Sequence, residues 1–505
     1  MNNLFQDFLL SKNELREFFP WLPVDGIKKI NDYINNNYKF IEKKHIASPV
    51  IITGQQPAVF GGPLYTIYKI ITVIQLSSLL HNNYGIKTQP IFWVHSWDHD
   101  WEEVCYTNFL TYNYEIYPFR FNPDNNEKGK PLYKLKLDKD FIEAQIPEIF
   151  KNVKGSEFAS RWQDFLLNSI SSCDTLSDWS VNILKQIFKD ENLCWFEPHN
   201  AKDFKILQQV MEISIDNHSL LFEHFNKTTS LLKETGYKPQ VHKLPDNAFF
   251  FLEENNYRSR LKFHDGVFYS EISKRKYAVS EIKRILHYEP ERFSPNLLLR
   301  CIYQQMIFPV VVYVGGPAEV AYWAQLKDLF LFFNLPMPIV YPRKRLILLP
   351  SKIKKWLSEL NINVYNLPQI YDNIKDNKSF VISDSLNSEI EKTKIKFIDN
   401  AMSFFDNLIT IFNDKSLDNY RKTYLSKMEF EAQRLIDNFT KLQRNKNEIF
   451  QKHLTHILNT IYPNSLEQER FFSPFSFIPE YSHDFIKMIM NKTDVIDFDI
   501  GIVEI

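Results

Sequence analysis

The sequence predicts an α/β protein built on a parallel sheet, and three stretches carry that expectation. Val50-Ile51-Ile52 and the run FPVVVYVGG are short, continuous apolar strands, the pattern of strands covered on both faces. Each is followed by Gly-Gly-Pro and a helical pattern, at Gly61-Gly62-Pro63 and at Gly315-Gly316-Pro317. Ile91 to Val94 forms a further strand after the first helix, so strand, helix, strand reads as a right-handed βαβ crossover. One Gly-Gly-Pro is a weak signal. Two in the same strand-to-helix setting point to the halves of a doubly wound sheet.

Composition bounds the rest. A chain of 505 residues exceeds one compact core, which implies two or three domains. With 44% hydrophobic and 15% aromatic residues it has ample surface to bury. Lys+Arg 60 against Asp+Glu 61 leaves no overall field to hold a nucleic acid. Cys105, Cys173, Cys194 and Cys301 are widely spaced, which argues for buried thiols in a reducing compartment rather than a disulfide framework. The N-terminus lacks a basic start before an apolar run, and apolar runs such as IFPVVVYVGG are too short to cross a bilayer. The expectation is a cytoplasmic protein.

Along the chain, residues 1–107 read as N-terminal helices followed by the first half of the core. Pro63 is placed at the first helical position, opening a helix to about Leu80. Residues 108–298 read as an inserted α+β stretch, with short strands (YKLKL, HDGVFYSEI) and helices (DFLLNSISSC, FKILQQVMEISI). Residues 299–385 form the second half of the core, including the strand PIVYPR. Over 386–462, Ile398, Ala401, Phe405, Leu408 and Phe412, then Met428, Ala432, Leu435, Phe439, Leu442, Lys446, Ile449 and His453, keep a 3-4 alternation. That reads as the seam of an antiparallel coiled-coil hairpin, with Lys446 and His453 partly solvated; two ordinary amphipathic helices packed on the core stay open as the alternative. Residues 463–505 are expected to return to the core.

In open parallel sheets ligands bind beyond the carboxyl ends of strands. Thr53-Gly54-Gln55-Gln56, Asp98-His99-Asp100 and Gly315-Gly316-Pro317 meet that criterion. The first Gly-Gly-Pro helix has no acid in its first turn, and Lys69 shares a face with Tyr65 and Thr66, a combination suited to a phosphate or carboxylate. In the second helix Glu319 caps the N-terminus, which neutralises an anion site; it is either a capping residue alone or suited to an amine or hydroxyl rather than a phosphate. His99, flanked by Asp98 and Asp100, reads as a general base favoured in its charged form. Gln55 and Gln56 read as substrate orienters. A metal set of His95, Asp98, His99 and Asp100 stays open as an alternative, and so does a solvated acidic loop.

The stretches ITGQQPAVFGGPLYTIYK, IFWVHSWDHDWEE, VGGPAEVAYWAQLK, MPIVYPR and QERFFSPF, in this order, resemble the bacillithiol biosynthesis cysteine-adding enzymes over nearly the whole chain. The chain departs from that pattern at Ala58 and Ala318, where glycine is usual, at Trp97, where an acid is usual, and at Cys105-Tyr106, where Asn-His is usual. The resemblance implies a Rossmann-like core with connecting-peptide insertions, similar to class I aminoacyl-tRNA synthetases, and a dimerising α-helical coiled-coil domain. It also implies a ligase joining cysteine to glucosaminyl-malate, with an adenine nucleotide site and no required metal. The expected catalytic residues are His99, Asp98 and Asp100. Thr53, Gln55, Gln56, Glu319 and Tyr322 are the expected substrate contacts, and Gly61, Gly62, Tyr65, Lys69, Gly315, Gly316 and Arg470 the expected nucleotide or anion contacts. A metal-dependent hydrolase and a non-catalytic nucleotide-binding dimeric assembly factor are the alternatives.

Overall fold

The structure is a computed structural model that describes residues 3–37, 40, 48–153, 157–376, 384–413, 416–481 and 484–505. Its centre is a five-stranded parallel sheet of β1 (Val50–Gln55), β2 (Gln89–Val94), β5 (Cys194–Phe196), β11 (Val310–Gly315) and β12 (Ile339–Pro342). The strand order is β12-β11-β1-β2-β5, with every pairing parallel. The order runs one way from β1 to β5 and the other way from β1 to β12, so the topological switch point lies between β1 and β11. Val50, Ile51, Ile52 and the whole of β11 are buried, as continuous apolar strands under two covering layers should be.

The insertion between β2 and the second half of the core carries two further sheets. β3 (Tyr106–Leu110) and β4 (Ile116–Arg120) pair antiparallel. β6 (Asn247–Glu254), β7 (Tyr257–His264), β8 (Val267–Ser270), β9 (Lys276–Ala278) and β10 (Phe293–Pro295) form an antiparallel sheet in the order β10-β6-β7-β8-β9. The expected strand YKLKL is not a strand: Lys136 makes an isolated bridge to Thr175, and the flanking residues form turns. The expected helices at DFLLNSISSC and FKILQQVMEISI form as Glu157–Ser172 and Lys205–Asp216, with Cys173 just past the end of the first and Phe204 the N-cap of the second.

By contacts the chain divides into a unit of Met1–Leu348 with Glu467–Ile505, and a unit of Leu349–Leu466. Of residues 349–385, assigned from sequence to the core, the described ones, 349–376 and 384–385, therefore lie with the helical unit, and 377–383 lie outside the described residues. In the first unit the C-terminal segment does return to the core: Phe472 bridges Asn108, Ser473 N–H donates to Asn108 O at 2.9 Å, and Phe475 packs on Phe60. β14 (Gly501–Glu504) pairs with β13 (Leu346–Leu349).

In the second unit two long helices, Asp384–Phe412 and Leu417–Ile461, run antiparallel, as the contacts Arg421 to Asp406 and Lys394 to Gln433 require. The seam differs from its sequence assignment. Ala401 is buried, and Ile398, Phe405, Leu408, Leu425, Met428, Ala432 and Ile436 are half-buried, but Phe412, Leu435, Phe439, Leu442 and Ile449 are exposed. A 3-4 repeat read along one helix does not say which of two adjacent apolar stripes meets the partner. His453 is partly solvated, as expected, but stacks on Trp356 at 4.4 Å, and the Lys446 side chain lies outside the described residues. Among the described residues no helix is long and apolar enough to cross a membrane.

Candidate functional site

The two Gly-Gly-Pro turns turn out to be different devices. Gly315 ends β11, and a Cβ there would lie 3.0 Å from Glu319 Cβ and 3.2 Å from the Tyr313 ring, so glycine is demanded by close approach. The helix Pro317–Trp323 starts at once, with Pro317 at its first position. Gly61 and Gly62 sit seven and eight residues past Gly54, at φ +77 and +87, and are buried against Ile183, Leu184 and Thr66. Pro63 is the N-cap of the helix Leu64–Tyr84, not its first residue. Leu64 N–H donates to Phe472 O at 3.0 Å and Thr66 N–H to Pro63 O at 2.9 Å. The helix start expected to hold a phosphate is closed by the C-terminal segment, and Gly61 and Gly62 do not line the crevice.

The residues beyond β1 and β11 do line it. Gln55, Gln56, Tyr65, Lys69, Asp98, Gly316, Glu319, Tyr322 and Arg470 border a cavity of about 460 Å³. Lys69 is the hub. Its Nζ lies 2.7 Å from Glu319 Oε2 and donates to Gly54 O and Gln55 Oε1, each at 2.9 Å. Glu319 also accepts from Gly316 N–H at 2.7 Å and Tyr313 OH at 2.6 Å. Burial depresses the Lys69 ammonium, against the pull of Glu319. Burial alone would raise the Glu319 carboxyl, but Lys69 and the Gly316 N–H outweigh it and hold it below the usual carboxylate range. The Glu319 carboxyl is therefore ionised beside the Lys69 amine. The amine expected beside Glu319 is thus the chain's own Lys69.

The glutamines connect this pair to the loop after β2. Gln55 Nε2 donates to Tyr65 OH at 3.1 Å, and Gln56 Nε2 to Asp98 Oδ2 at 2.9 Å and to Glu103 Oε2 at 3.0 Å. Here the sequence offered no hint that Glu103 would share a partner with Asp98. Arg343, also missed from sequence, lines the same cavity and forms a bidentate pair with Glu469 at 2.7 and 2.6 Å, both side chains buried. Arg470 is held by Glu467 at 3.3 Å. Every cation of this glutamine lobe therefore has a carboxylate partner.

A second lobe of about 370 Å³ adjoins the first, and His95, Asp98, Val241 and Leu297 line both. It contains His99, Lys243, Arg258, Arg260 and Arg300. His99 Nδ1 lies 3.6 Å from Asp98 Oδ1 and 3.4 Å from Arg258 Nη1. Burial and Arg258 lower its pKa despite Asp98 and Asp100, so His99 is held neutral, contrary to the expectation of a charge-favouring acidic pair. Asp100 is exposed and lines neither lobe. Thr53 is also outside them: its hydroxyl donates to Val314 O at 2.8 Å and ties β1 to β11.

His95 stands where the lobes meet. Its ring lies against Gly54, whose added Cβ would fall 2.7 Å from His95 Nε2, and that nitrogen is buried without a partner. Burial, then Arg300 and Lys69, drive its pKa well below the ordinary value. Trp97 packs beside Tyr303 with ring centroids 5.9 Å apart and lines the second lobe. Of the cysteines, Cys105, Cys173 and Cys301 are buried, whereas Cys194 is exposed. Among the described residues no group of three or more His, Cys, Asp or Glu is placed to hold a metal ion, so His95, Asp98, His99 and Asp100 do not assemble as a ligand set.

Comparison with known proteins matches residues 24–344 to the bacillithiol biosynthesis BshC N-terminal Rossmann-like domain and residues 346–505 to the BshC C-terminal coiled-coil domain. The chain belongs to the BshC family of bacillithiol biosynthesis. A relative from Staphylococcus saprophyticus, named "Putative cysteine ligase BshC", is 28% identical over 453 residues, covering 86% of this chain and 81% of its own. Relatives of the same name from Staphylococcus epidermidis (26% over 476 residues; 91% and 85%) and Bacillus thuringiensis (26% over 448 residues; 88% and 82%) also match. A solved arginyl-tRNA synthetase-like chain from Campylobacter jejuni aligns over 88% of this chain and 99% of its own, at 11% identity and a TM-score of 0.24. The Rossmann-like core and coiled-coil domain expected from the motifs are those of the family.

Proposed function

We propose that the chain is a carbon–nitrogen ligase that joins cysteine to the amine of glucosaminyl-malate, completing bacillithiol. The observation that carries this reading is the convergence of Gln55, Gln56, Asp98, His99 and Glu319 on one two-lobed crevice at the switch point of the sheet. Amide formation needs an activated cysteine carboxylate, a neutral attacking amine and a base for the proton lost as the C–N bond forms. A histidine held neutral can accept that proton, and His99 is the base in this reading, with Asp98 orienting its ring. Gln55 and Gln56 present amide groups that hold polar substrate atoms without adding charge. Tyr322 and Glu319 line the same cavity, Glu319 joined to Gln55 through Lys69.

An adenine nucleotide is the expected activator. The helix start at Leu64 does not fit its phosphates, because backbone carbonyls already accept from the Leu64 and Thr66 N–H groups. When bound, the nucleotide would supply the leaving group of the activated carboxylate. Homodimerisation through the helical unit belongs to the same reading. Phe404, Phe430 and Phe439 are each at least 60% exposed there, more apolar surface than a helical hairpin normally leaves to water.

The test uses purified full-length protein with cysteine, glucosaminyl-malate and ATP, and mass spectrometry for the product. Product should form, and His99→Ala should abolish it while leaving the circular dichroism unchanged. Wild-type yield from His99→Ala would remove that residue from the chemistry. A chain that never makes product, yet restores the thiol in a strain lacking it, would favour the assembly-factor alternative.

A further inference from the structure

The second lobe carries a charge pattern that the reaction above does not use. Lys243 comes from the loop before β6, Arg258 and Arg260 from β7, and Arg300 from the helix Leu297–Ile307. Asp98 is the acid among the lining residues, and it already faces Gln56 and Arg258. Arg300 is 6% exposed and meets only neutral groups: Gln304 Oε1 at 2.9 Å, Tyr322 OH at 3.0 Å and the Cys301 thiol at 3.1 Å. Its Nε is buried with no partner. Lys243 donates to the carbonyls of Leu244 and Asn247 and stands 4.0 Å from the Phe249 ring centroid. Among the described residues neither cation has a carboxylate within ion-pair distance. The contrast with the glutamine lobe, where Lys69, Arg343 and Arg470 are each paired, is the central point.

A buried cation with no carboxylate in ion-pair distance, as Arg300 is, is costly, and a fold keeps it where a ligand completes it; Lys243 and Arg258 are half-buried beside it and Arg260 is exposed at the mouth. The start of the helix Leu297–Ile307 opens on the same lobe through Asn296 and Leu297, adding the positive end of its dipole. Between the cations the wall is apolar, formed by Trp97, Phe251 and Leu298. Positive groups on three elements around an apolar wall suit two carboxylates joined by a short carbon chain. A single compact phosphate would meet only part of the set.

We propose that this lobe is a subsite for a dicarboxylate and that, resting on the ligase reading, it takes the malyl end of glucosaminyl-malate. The amine of the same substrate then extends toward His95 and Asp98, the residues shared with the glutamine lobe. Burial, which pushes the Lys243 ammonium down to about 7, fits a site that becomes fully charged only when its anion arrives.

Titration calorimetry on the full chain tests the subsite without any turnover, using malate, inorganic phosphate and glucosamine as separate probes. Malate should bind, and Arg260→Ala and Lys243→Met should each weaken it by about tenfold, with Lys243→Arg restoring it. Glucosamine binding should not change in these variants. Malate affinity unaltered in both variants overturns the assignment, and so does phosphate binding that is lost in both while malate does not bind at all. The ligase reading fails separately. A chain that binds malate through these residues but makes no product keeps the subsite and loses the reaction; product made at wild-type KM by both variants does the reverse.

Discussion

Glu319→Gln removes one charge from the centre of the crevice while keeping the shape of the side chain. In the native chain the Lys69 and Glu319 side chains are 3% and 15% exposed and 2.7 Å apart. The glutamine oxygen can still accept from Gly316 N–H, and Lys69 keeps Gly54 O and Gln55 Oε1 at 2.9 Å. What disappears is the counter-charge of a buried ammonium. Removing one partner of a buried pair costs about 3–5 kcal/mol, and the retained hydrogen bonds place this case near the lower end, about 3 kcal/mol. Lys69→Met in the same background removes the stranded charge and should bring stability back to within about 1 kcal/mol of wild type. Because burial already depresses Lys69, the single variant can shed that proton, so its deficit should shrink as pH rises. Urea unfolding of the full chain, followed by tryptophan fluorescence, reads this out, since Trp93 and Trp323 are buried in the same unit. A single variant as stable as wild type, or a double variant no better than the single, refutes the reasoning.

Further outcomes follow from the same geometry. His199, hydrogen-bonded to Ser96 at 2.7 Å, is driven by burial down to about 4. Its folded pKa lies below the unfolded value, so it costs stability as pH falls from about 6.5 to about 4, by about 2–3 kcal/mol. His199→Asn should flatten the stability profile over that window, and equal slopes in the two proteins would count against it. Gly54→Ala places a Cβ 2.7 Å from both His95 Nε2 and Trp93 O, which should destabilise the chain by about 1–3 kcal/mol and displace His95, as thermal unfolding and histidine NMR shifts would show. Lys243, at about 7, should be acylated by a limiting amine reagent at neutral pH well ahead of the exposed lysines, and peptide mass spectrometry that finds it unlabelled would contradict its placement in an accessible lobe.

Much of the frame was legible. Continuous apolar strands and their glycine turns announce a parallel sheet because a strand buried on both faces has no polar alternation to show. The Gln-Gln turn, Asp98-His99 and Glu319 could be read as site residues because strand ends in such a sheet face a crevice. Where sequence reading failed, the missing information was the identity of the neighbour. Two Gly-Gly-Pro motifs look alike in one dimension, yet Phe472 closes the first helix start and Glu319 caps the second. The coiled-coil stripe slipped part-way for the same reason: Met428 and Ala432 are half-buried as assigned, but beyond them Ile436 is half-buried while Leu435 and Phe439, with the right spacing, are exposed.

The sequence by itself determined the parallel sheet, the return of the C-terminal segment and the set of strand-end residues that could do chemistry. All of these follow from local apolar periodicity and turn chemistry. Only the tertiary structure decided the charge state of the site. Whether a lysine, an arginine or a histidine meets water, a carboxylate or an apolar wall depends on residues hundreds of positions away. That difference paired Lys69 with Glu319, held His95 and His99 neutral, and left Arg300 and Lys243 in the neighbouring lobe with no carboxylate in ion-pair distance among the described residues.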